Sequence, residues 1–274
     1  LFLTQSAVSR QIHGLEEALG VKLFRRGHRA ISFTAEGERL FRSADGALQQ
    51  LQDAIGALHD GLRQRPVTLT ASIGFVGLWL LPRLGGFQAR HPELEVRLSA
   101  NNELVDLRQE GLDIAIRYCA GNAVPAGARR LFGERIAPVA HPALAIDRLD
   151  RPEIIASSVL LEFEGDQRPW WSWQVWLESQ GWADVKPKGI LRFNQYDQMI
   201  HAAMAGQGIA LGRMELVSSM VADGRLRALP TRQPGPASSH VYCLLQAEAQ
   251  PSREVQLVVD WIVAEAALTQ ALPV

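Results

Sequence analysis

Apolar positions near the start of the chain recur at helical spacing. Ala7/Val8, Ile12 and Leu15 fall on one side of a segment that Thr4 can cap, while Gln5, Ser6, Ser9, Arg10 and His13 fall on the other. One face is built to pack and the other to touch a partner. Gly20 stops this helix, and two short apolar pieces follow, Leu23-Phe24 and Ile31 with Phe33. The basic, Gly-containing turn between them carries Arg25, Arg26 and Arg29, which predicts a two-stranded wing. Thr34 is a second N-cap, with Glu36 and Glu38 in the first turns of a long helix predicted to reach about Arg63. Along it Leu40, Ala44, Ala47, Leu51, Ala54 and Leu58 alternate spacings of four and three. That is the pattern of a pairing seam, and also that of a helix packed on its own domain.

Beyond residue 66 the rhythm becomes strand, helix, strand. Strands are predicted at 67–72, 94–100 and 113–117, with helices at 78–91 and 103–110 between them. A second set follows: strand 159–163, a Trp-rich helix 170–179, strand 190–193, helix 196–205, strand 209–211 and a helix near 214–221. A strand at 241–245 and an amphipathic helix at 254–267 close the chain. Such units imply an α/β body with largely parallel sheets. Residues 135–140 read as a crossover between the two sets and 239–243 as its return, so the body has two lobes, a hinge and a cleft. The expected divisions are 1–33, 34–65 and 66–274, with one lobe at 66–138 plus 239–274 and the other at 139–238.

Charge sharpens this division. The net charge of −1 argues against a nucleic-acid partner only as an average, because residues 1–33 hold five basic and two acidic groups while the body is mildly acidic. Small hydrogen-bonding side chains near a helix N-terminus suit entry into a major groove, and arginines on a wing suit phosphates or a minor groove. The candidate DNA contacts are therefore Gln5, Ser6, Ser9, Arg10, Arg25, Arg26 and Arg29. Two heads joined by the helical seam would read a pseudo-palindromic double-stranded site.

In open α/β sheets, ligands sit outside the carboxyl ends of the strands. Those ends carry Ser72, Gly74 and Phe75, then Asn101 and Asn102, Arg117 and Tyr118, Gln195 and Tyr196, and Gly212-Arg213. Arg117 and Arg213 favour an anionic group such as a carboxylate, the asparagines can donate or accept, and Phe75, Tyr118 and the Trp170/Trp171/Trp173 group can wall the cavity. Each of these residue types is also a common turn former or core residue, so the set carries more weight than its members. Trp173 is included among the candidate effector contacts.

Other chemistry finds little purchase. There is no HExxH, GxSxG or P-loop, and in Gly206-Gln207-Gly208-Ile209-Ala210-Leu211-Gly212 the third glycine falls one place too late for a dinucleotide fingerprint. No catalytic residue, cofactor or metal is expected. Only two cysteines occur, Cys119 and Cys243, far apart and outside any CxxC pattern, so neither a disulfide framework nor a zinc site is expected and a reducing cytoplasm fits. The longest nearly apolar run, Gly74 to Leu81, is eight residues against the roughly 20 needed to cross a bilayer, so no membrane partner is expected.

The string Thr4-Gln5-Ser6-Ala7-Val8-Ser9-Arg10-Gln11-Ile12, with Leu15-Glu16, Leu19-Gly20, Leu23-Phe24-Arg25-Arg26 and Thr34-Ala35-Glu36-Gly37, resembles the winged helix-turn-helix of LysR-type transcriptional regulators. Trp79-Leu80-Leu81-Pro82-Arg83-Leu84, His91-Pro92, residues 111–118 and residues 202–212 resemble the branch of that family that holds the glycine-cleavage activator and the β-lactamase regulator. The resemblance spans essentially the whole chain. It implies a type 2 periplasmic-binding-protein fold for the body, and a ligand-responsive regulator assembled as a homodimer or homotetramer. It also implies about 30 further residues ahead of Leu1, which would make the chain N-terminally truncated within its helix-turn-helix. Ligands of that branch include amino acids and cell-wall peptides. Where relatives place Ser or Thr before the Phe of the first cleft loop, this chain has Gly74. His240 occupies the returning crossover, where relatives often carry a polar cleft residue. The competing reading is a solute-binding protein without DNA function, which the fold of the body alone permits.

Overall fold

A computed structural model of the chain describes residues 5–26, 31–59, 65–103, 105–164 and 171–271. These form two compact units, Leu1–Arg65 with Val105–Gly111, and Pro66–Leu104 with Leu112–Val274.

In the first unit helix α1 (Gln5–Leu19) stops at Gly20, whose φ of 69° is left-handed and suits glycine. Strands β1 (Phe24–Arg26) and β2 (Ile31–Phe33) pair antiparallel with Arg25 opposite Ser32, and helix α2 (Ala35–His59) follows. Residues 60–63, where α2 was expected to end, lie outside the described residues, as does Thr4. Glu16 fastens the wing to α1: its carboxylate accepts from the backbone N–H of Leu23 (2.9 Å) and Phe24 (3.3 Å) and meets Lys22 Nζ at 2.7 Å. Thr34 does the same for α2. Its hydroxyl accepts from Gly37 N at 2.9 Å as an N-cap and donates to Lys22 O at 2.7 Å. Gly37 has to be glycine, because a Cβ there would stand 1.9 Å from Leu23 O. Phe33 stacks between Phe24 and Phe41, at 4.9 and 5.1 Å, and joins wing to helix. The apolar face of α1 is less packed than its spacing predicts. Ala7 and Ile12 are half-buried, but Val8, Leu15 and Leu19 are over 40% exposed, because no described element lies over them.

The second unit holds two five-stranded sheets. In chain order come β3 (Val67–Ala71), α3 (Ile73–Phe75), a wide π turn (Val76–Leu80), α4 (Leu81–Arg90), β4 (Val96–Ala100), β5 (Ile114–Ala120) and β6 (Arg129–Phe132). The second lobe contributes β7 (Ile136–Ala140), α5 (Pro152–Ser157), β8 (Val159–Phe163), α6 (Trp173–Ser179), β9 (Gly189–Phe193), α7 (Tyr196–Met204), β10 (Ile209–Arg213), α8 (Met214–Ala222) and β11 (Arg227–Ala228). The chain then returns through β12 (His240–Gln246) and ends on α9 (Arg253–Ala271). The sheet orders are β4-β3-β5-β12-β6 and β11-β7-β10-β8-β9.

Three strands at one end of each sheet run parallel, as the alternation of strand and helix predicts, while β12 and β7 join them antiparallel. Every residue of β3 is buried, as befits a central strand covered on both faces. Asp113 ties it to the start of β5, accepting from Thr68 N and Thr68 Oγ1, each at 2.8 Å. Three expectations need correction. The helix predicted at 103–110 is absent among the described residues: Asp106 Oδ1 takes the N–H groups of Arg108 and Gln109, and Gly111 at φ 63° ends the turn. The helical stretch predicted from Leu78 begins at Ile73, because Ser72 caps it through Phe75 N. The first crossover falls at residues 133–135, ahead of the expected break at 138/139, since all of β7 belongs to the second sheet.

Candidate functional site

The carboxyl ends of β3, β4, β5 and β10 and the start of α7 enclose a cavity of about 220 Å³ between the two sheets. Its lining includes Ser72, Gly74, Phe75, Asn101, Asn102, Arg117, Tyr118, Gln195, Tyr196 and Arg213. Of the candidate effector residues, only Trp173 and His240 are missing from this wall.

The floor is built around Arg213, at the end of β10. Its Nε lies 2.8 Å from Glu134 Oε1, and its Nη1 donates to the Tyr242 hydroxyl at 2.8 Å. The guanidinium packs against the rings of Trp171, Tyr118 and Tyr196 at 3.9, 4.5 and 5.1 Å. Tyr196 Oη accepts from Arg213 N at 2.7 Å, and Tyr118 Oη donates to Glu134 Oε2. Burial works against the Arg213 cation, but the Tyr242 and Glu134 oxygens beside it more than offset this and hold the charge. Burial also raises the tyrosines well above their ordinary range, so both hydroxyls stay protonated. Arg213 Nη2 has no hydrogen-bond acceptor among the described residues.

The mouth is held by asparagines. Asn102 Oδ1 accepts from Ile73 N at 3.2 Å, and Asn102 Nδ2 reaches across to Gln195 Oε1 at 3.2 Å, joining one lobe to the other. Asn101 Oδ1 accepts from Glu103 N at 2.9 Å and fixes the turn after β4. Gly74 lies under the Tyr196 ring, where a Cβ would approach Tyr196 Cδ1 to 3.2 Å. A side chain at this position would therefore meet the Tyr196 ring.

Trp173 belongs to the core of the second lobe. Ser172 caps α6 by accepting from Val175 N, which makes Trp173 the first helical residue and turns its ring inward; its Nε1 donates to Leu161 O at 2.9 Å. Trp171, two residues earlier, is the tryptophan against Arg213, while Trp170 lies outside the described residues. His240 lines a separate groove with Arg130, Arg135, Ser238 and Ser239. Its pairing with Ala120 places its ring behind Tyr118, stacked at 5.0 Å. Sequence reasoning missed Glu103 and Glu164 of the cavity wall and, behind it, Glu134 and Tyr242. None of them sits in a motif; Glu134 lies in the first crossover and Tyr242 in β12, opposite Tyr118.

In the first unit, Ser9, Arg10, Ile12, His13, Glu16, Lys22 and Phe24 line one groove, so Ser9 and Arg10 are brought together with Lys22 of the wing. Gln5 and Ser6 lie in the first turn of α1, Arg25 is exposed on β1, and Arg26 follows it in the strand. Arg29 lies outside the described residues.

Residues 60–267 match the LysR substrate binding domain, and residues 1–38 match the bacterial regulatory helix-turn-helix protein of the lysR family. The chain is 30% identical over 272 residues to the glycine cleavage system transcriptional activator of Escherichia coli K12, covering 98% of this chain and 88% of that one. It is 32% identical over 229 residues to the transcriptional activator AmpR of Pseudomonas aeruginosa, covering 83% and 75%. Among solved structures, the effector domain of that AmpR aligns with a TM-score of 0.54 at 28% identity, over 74% of this chain and 96% of that one. The LysR-type regulator CrgA of Neisseria meningitidis aligns at 0.54 and 26%, over 96% and 90%. A helix-turn-helix match joined to an effector-domain match favours the regulator over the solute-binding alternative. This chain belongs to the LysR family of transcriptional regulators, as a ligand-responsive DNA-binding member.

Proposed function

We propose that a small carboxylate-bearing effector binds in the cleft between the two lobes and repositions DNA-reading heads within a homodimer or homotetramer. The observation that carries this reading is the buried Arg213 guanidinium on the cleft floor, whose Nη2 has no acceptor among the described residues. A buried charged donor of that kind is costly unless a ligand oxygen meets it. Because Glu134 already balances the charge of Arg213, Arg117 on the same wall supplies the net attraction for an anion. Glu103 and Glu164 also line the cavity, which favours an effector carrying a cationic group beside its carboxylate, as an amino acid does. Asn102 and Gln195 close over it. A ligand that binds the closed lobes better than the open ones shifts the population toward closure, and that differential affinity is the whole of its leverage.

DNA recognition is assigned to α1 and the wing, with Gln5, Ser6, Ser9 and Arg10 toward base edges and Arg25, Arg26 and Arg29 toward the backbone. Leu40, Ala44, Ala47 and Leu51 on α2 are exposed in the single chain, which supports their use as a pairing seam.

A thermal-shift screen of amino acids and muropeptide-like compounds tests the cleft. Carboxylate-bearing compounds should raise the melting temperature, and the rise should vanish in Arg117→Ala. An unchanged rise in that variant would remove Arg117 from the anchor.

A further inference from the structure

Two thiols that are remote in the sequence meet on the first sheet. The sulfurs of Cys119, on β5, and Cys243, on β12, are 3.7 Å apart. The antiparallel register sets Cys119 opposite Val241 and Cys243 opposite Arg117, so the thiols are diagonal neighbours on one face. On its other side β12 sets Cys243 opposite Arg130. Cys243 therefore sits between Arg117 and Arg130 in a cross-strand row, with Cys119 diagonal to it. Cys243 is fully buried, and burial pushes its thiol up to about 12, whereas Cys119 is only partly covered. Cys119 is the sulfur that a small oxidant reaches, and Cys243 waits beside it. The cleft chemistry uses neither.

We propose that Cys119 and Cys243 are a peroxide-responsive modification site that closes reversibly into an intramolecular disulfide. The Cys119 thiolate attacks one oxygen of a hydroperoxide, the O–O bond breaks, and the departing oxygen takes up a proton as water or alcohol, leaving Cys119 as a sulfenic acid. The Cys243 sulfur then displaces the sulfenic oxygen, which leaves as water with the Cys243 proton as the S–S bond forms. Two thiols are oxidised by two electrons and one peroxide is reduced. Diagonal neighbours on adjacent strands stand at the edge of the Cα separation a disulfide spans, so bringing the sulfurs from 3.7 Å to the ~2.05 Å of a disulfide takes side-chain rotation together with a local shift of β12 against β5. Because Arg117 stands directly opposite Cys243, the new bond shifts the seat of the cleft's cation, so oxidation alters effector affinity; this consequence rests on the anion-anchored cleft proposed above.

The chain has only two cysteines, which makes the readout direct. Full-length protein is exposed to hydrogen peroxide, alkylated and weighed. The expected result is an intramolecular product about 2 Da lighter, with both thiols lost to alkylation and both recovered with dithiothreitol. In Cys243→Ser, dimedone should trap a sulfenic acid on Cys119. Thiols that stay alkylatable, oxygen adducts without the mass loss, or bridged dimers would each overturn the disulfide, and the wild-type measurement stands even if the variant fails to fold. This arm involves no effector. Titration of a cleft ligand into reduced and oxidised protein then tests the coupling: at least a threefold change in affinity supports it, and equal affinity in the two forms overturns it.

Discussion

Arg213 at the end of β10 and Glu134 in the first crossover form an ion pair, Nε to Oε1 at 2.8 Å, with both side chains almost fully withdrawn from solvent. Tyr118 and Tyr242 complete their surroundings from the other lobe. Removing one charge leaves the other buried and uncompensated. Glu134→Gln is expected to lower stability by about 3 kcal/mol or more in urea denaturation, and adding Arg213→Met should recover much of that loss. A Glu134→Gln curve that overlays the wild type would show the pair to be energetically idle.

Gly74 tests how tightly the cleft is shaped. A Cβ at 3.2 Å from Tyr196 Cδ1 must push a ring whose hydroxyl is fixed by Arg213 N, so the ring cannot simply swing away. Gly74→Ser is expected to cost about 1 kcal/mol in stability and to weaken ligand binding, although it adds a hydroxyl to the cleft wall. Tighter binding by this variant would mean that the ring moves freely and that the hydroxyl is the contact that matters.

The sequence carried the fold further than it carried the site. Periodicity and caps located most helices and strands, because Thr34, Gly20 and the alternating strands act locally, but they missed β6, α5 and β11. The helix expected at 103–110 failed for a local reason as well, since a single Asp106 side chain outcompetes the helical ladder. Arg117, Asn102 and Tyr196 were legible because strand ends in this architecture point at one place. Trp173 was not, because which tryptophan faces inward depends on where Ser172 starts α6. Glu134, Tyr242 and the meeting of Cys119 with Cys243 depend on the register of β12, which no local pattern encodes.

Acid should loosen the wing. Lys22 and the backbone N–H groups of Leu23 and Phe24 hold the Glu16 carboxyl down to about 2, below its ordinary 4.5. A carboxylate depressed in the folded state stabilises it above the ordinary value, and that contribution is lost as pH falls from 4.5 toward 2. Carboxyl-carbon NMR should place the Glu16 midpoint well below the ordinary glutamates, and Lys22→Ala should move it upward. An ordinary midpoint in the wild type would mean that the carboxylate does not fasten the wing.

Arg10 and Lys22 line one groove but should affect DNA differently. If Arg10 reads a base edge, Arg10→Ala costs about 1–3 kcal/mol on the cognate operator and relaxes preference at one position. If Lys22 contacts phosphate, Lys22→Ala weakens all sequences alike and lowers the salt slope by about one. Binding isotherms on matched and scrambled operators at several salt concentrations separate the two, and equal losses on both operators for Arg10→Ala would contradict its role in base reading.

The anionic anchor of the cleft is tested most directly by calorimetric titration of one bound carboxylate effector and its neutral carboxamide analogue into wild-type protein and Arg117→Ala. In the wild type the carboxamide should bind at least about tenfold more weakly, or about 1.4 kcal/mol, and the difference should largely disappear in Arg117→Ala. Equal affinities for acid and amide in the wild-type protein would contradict an effector held by its carboxylate.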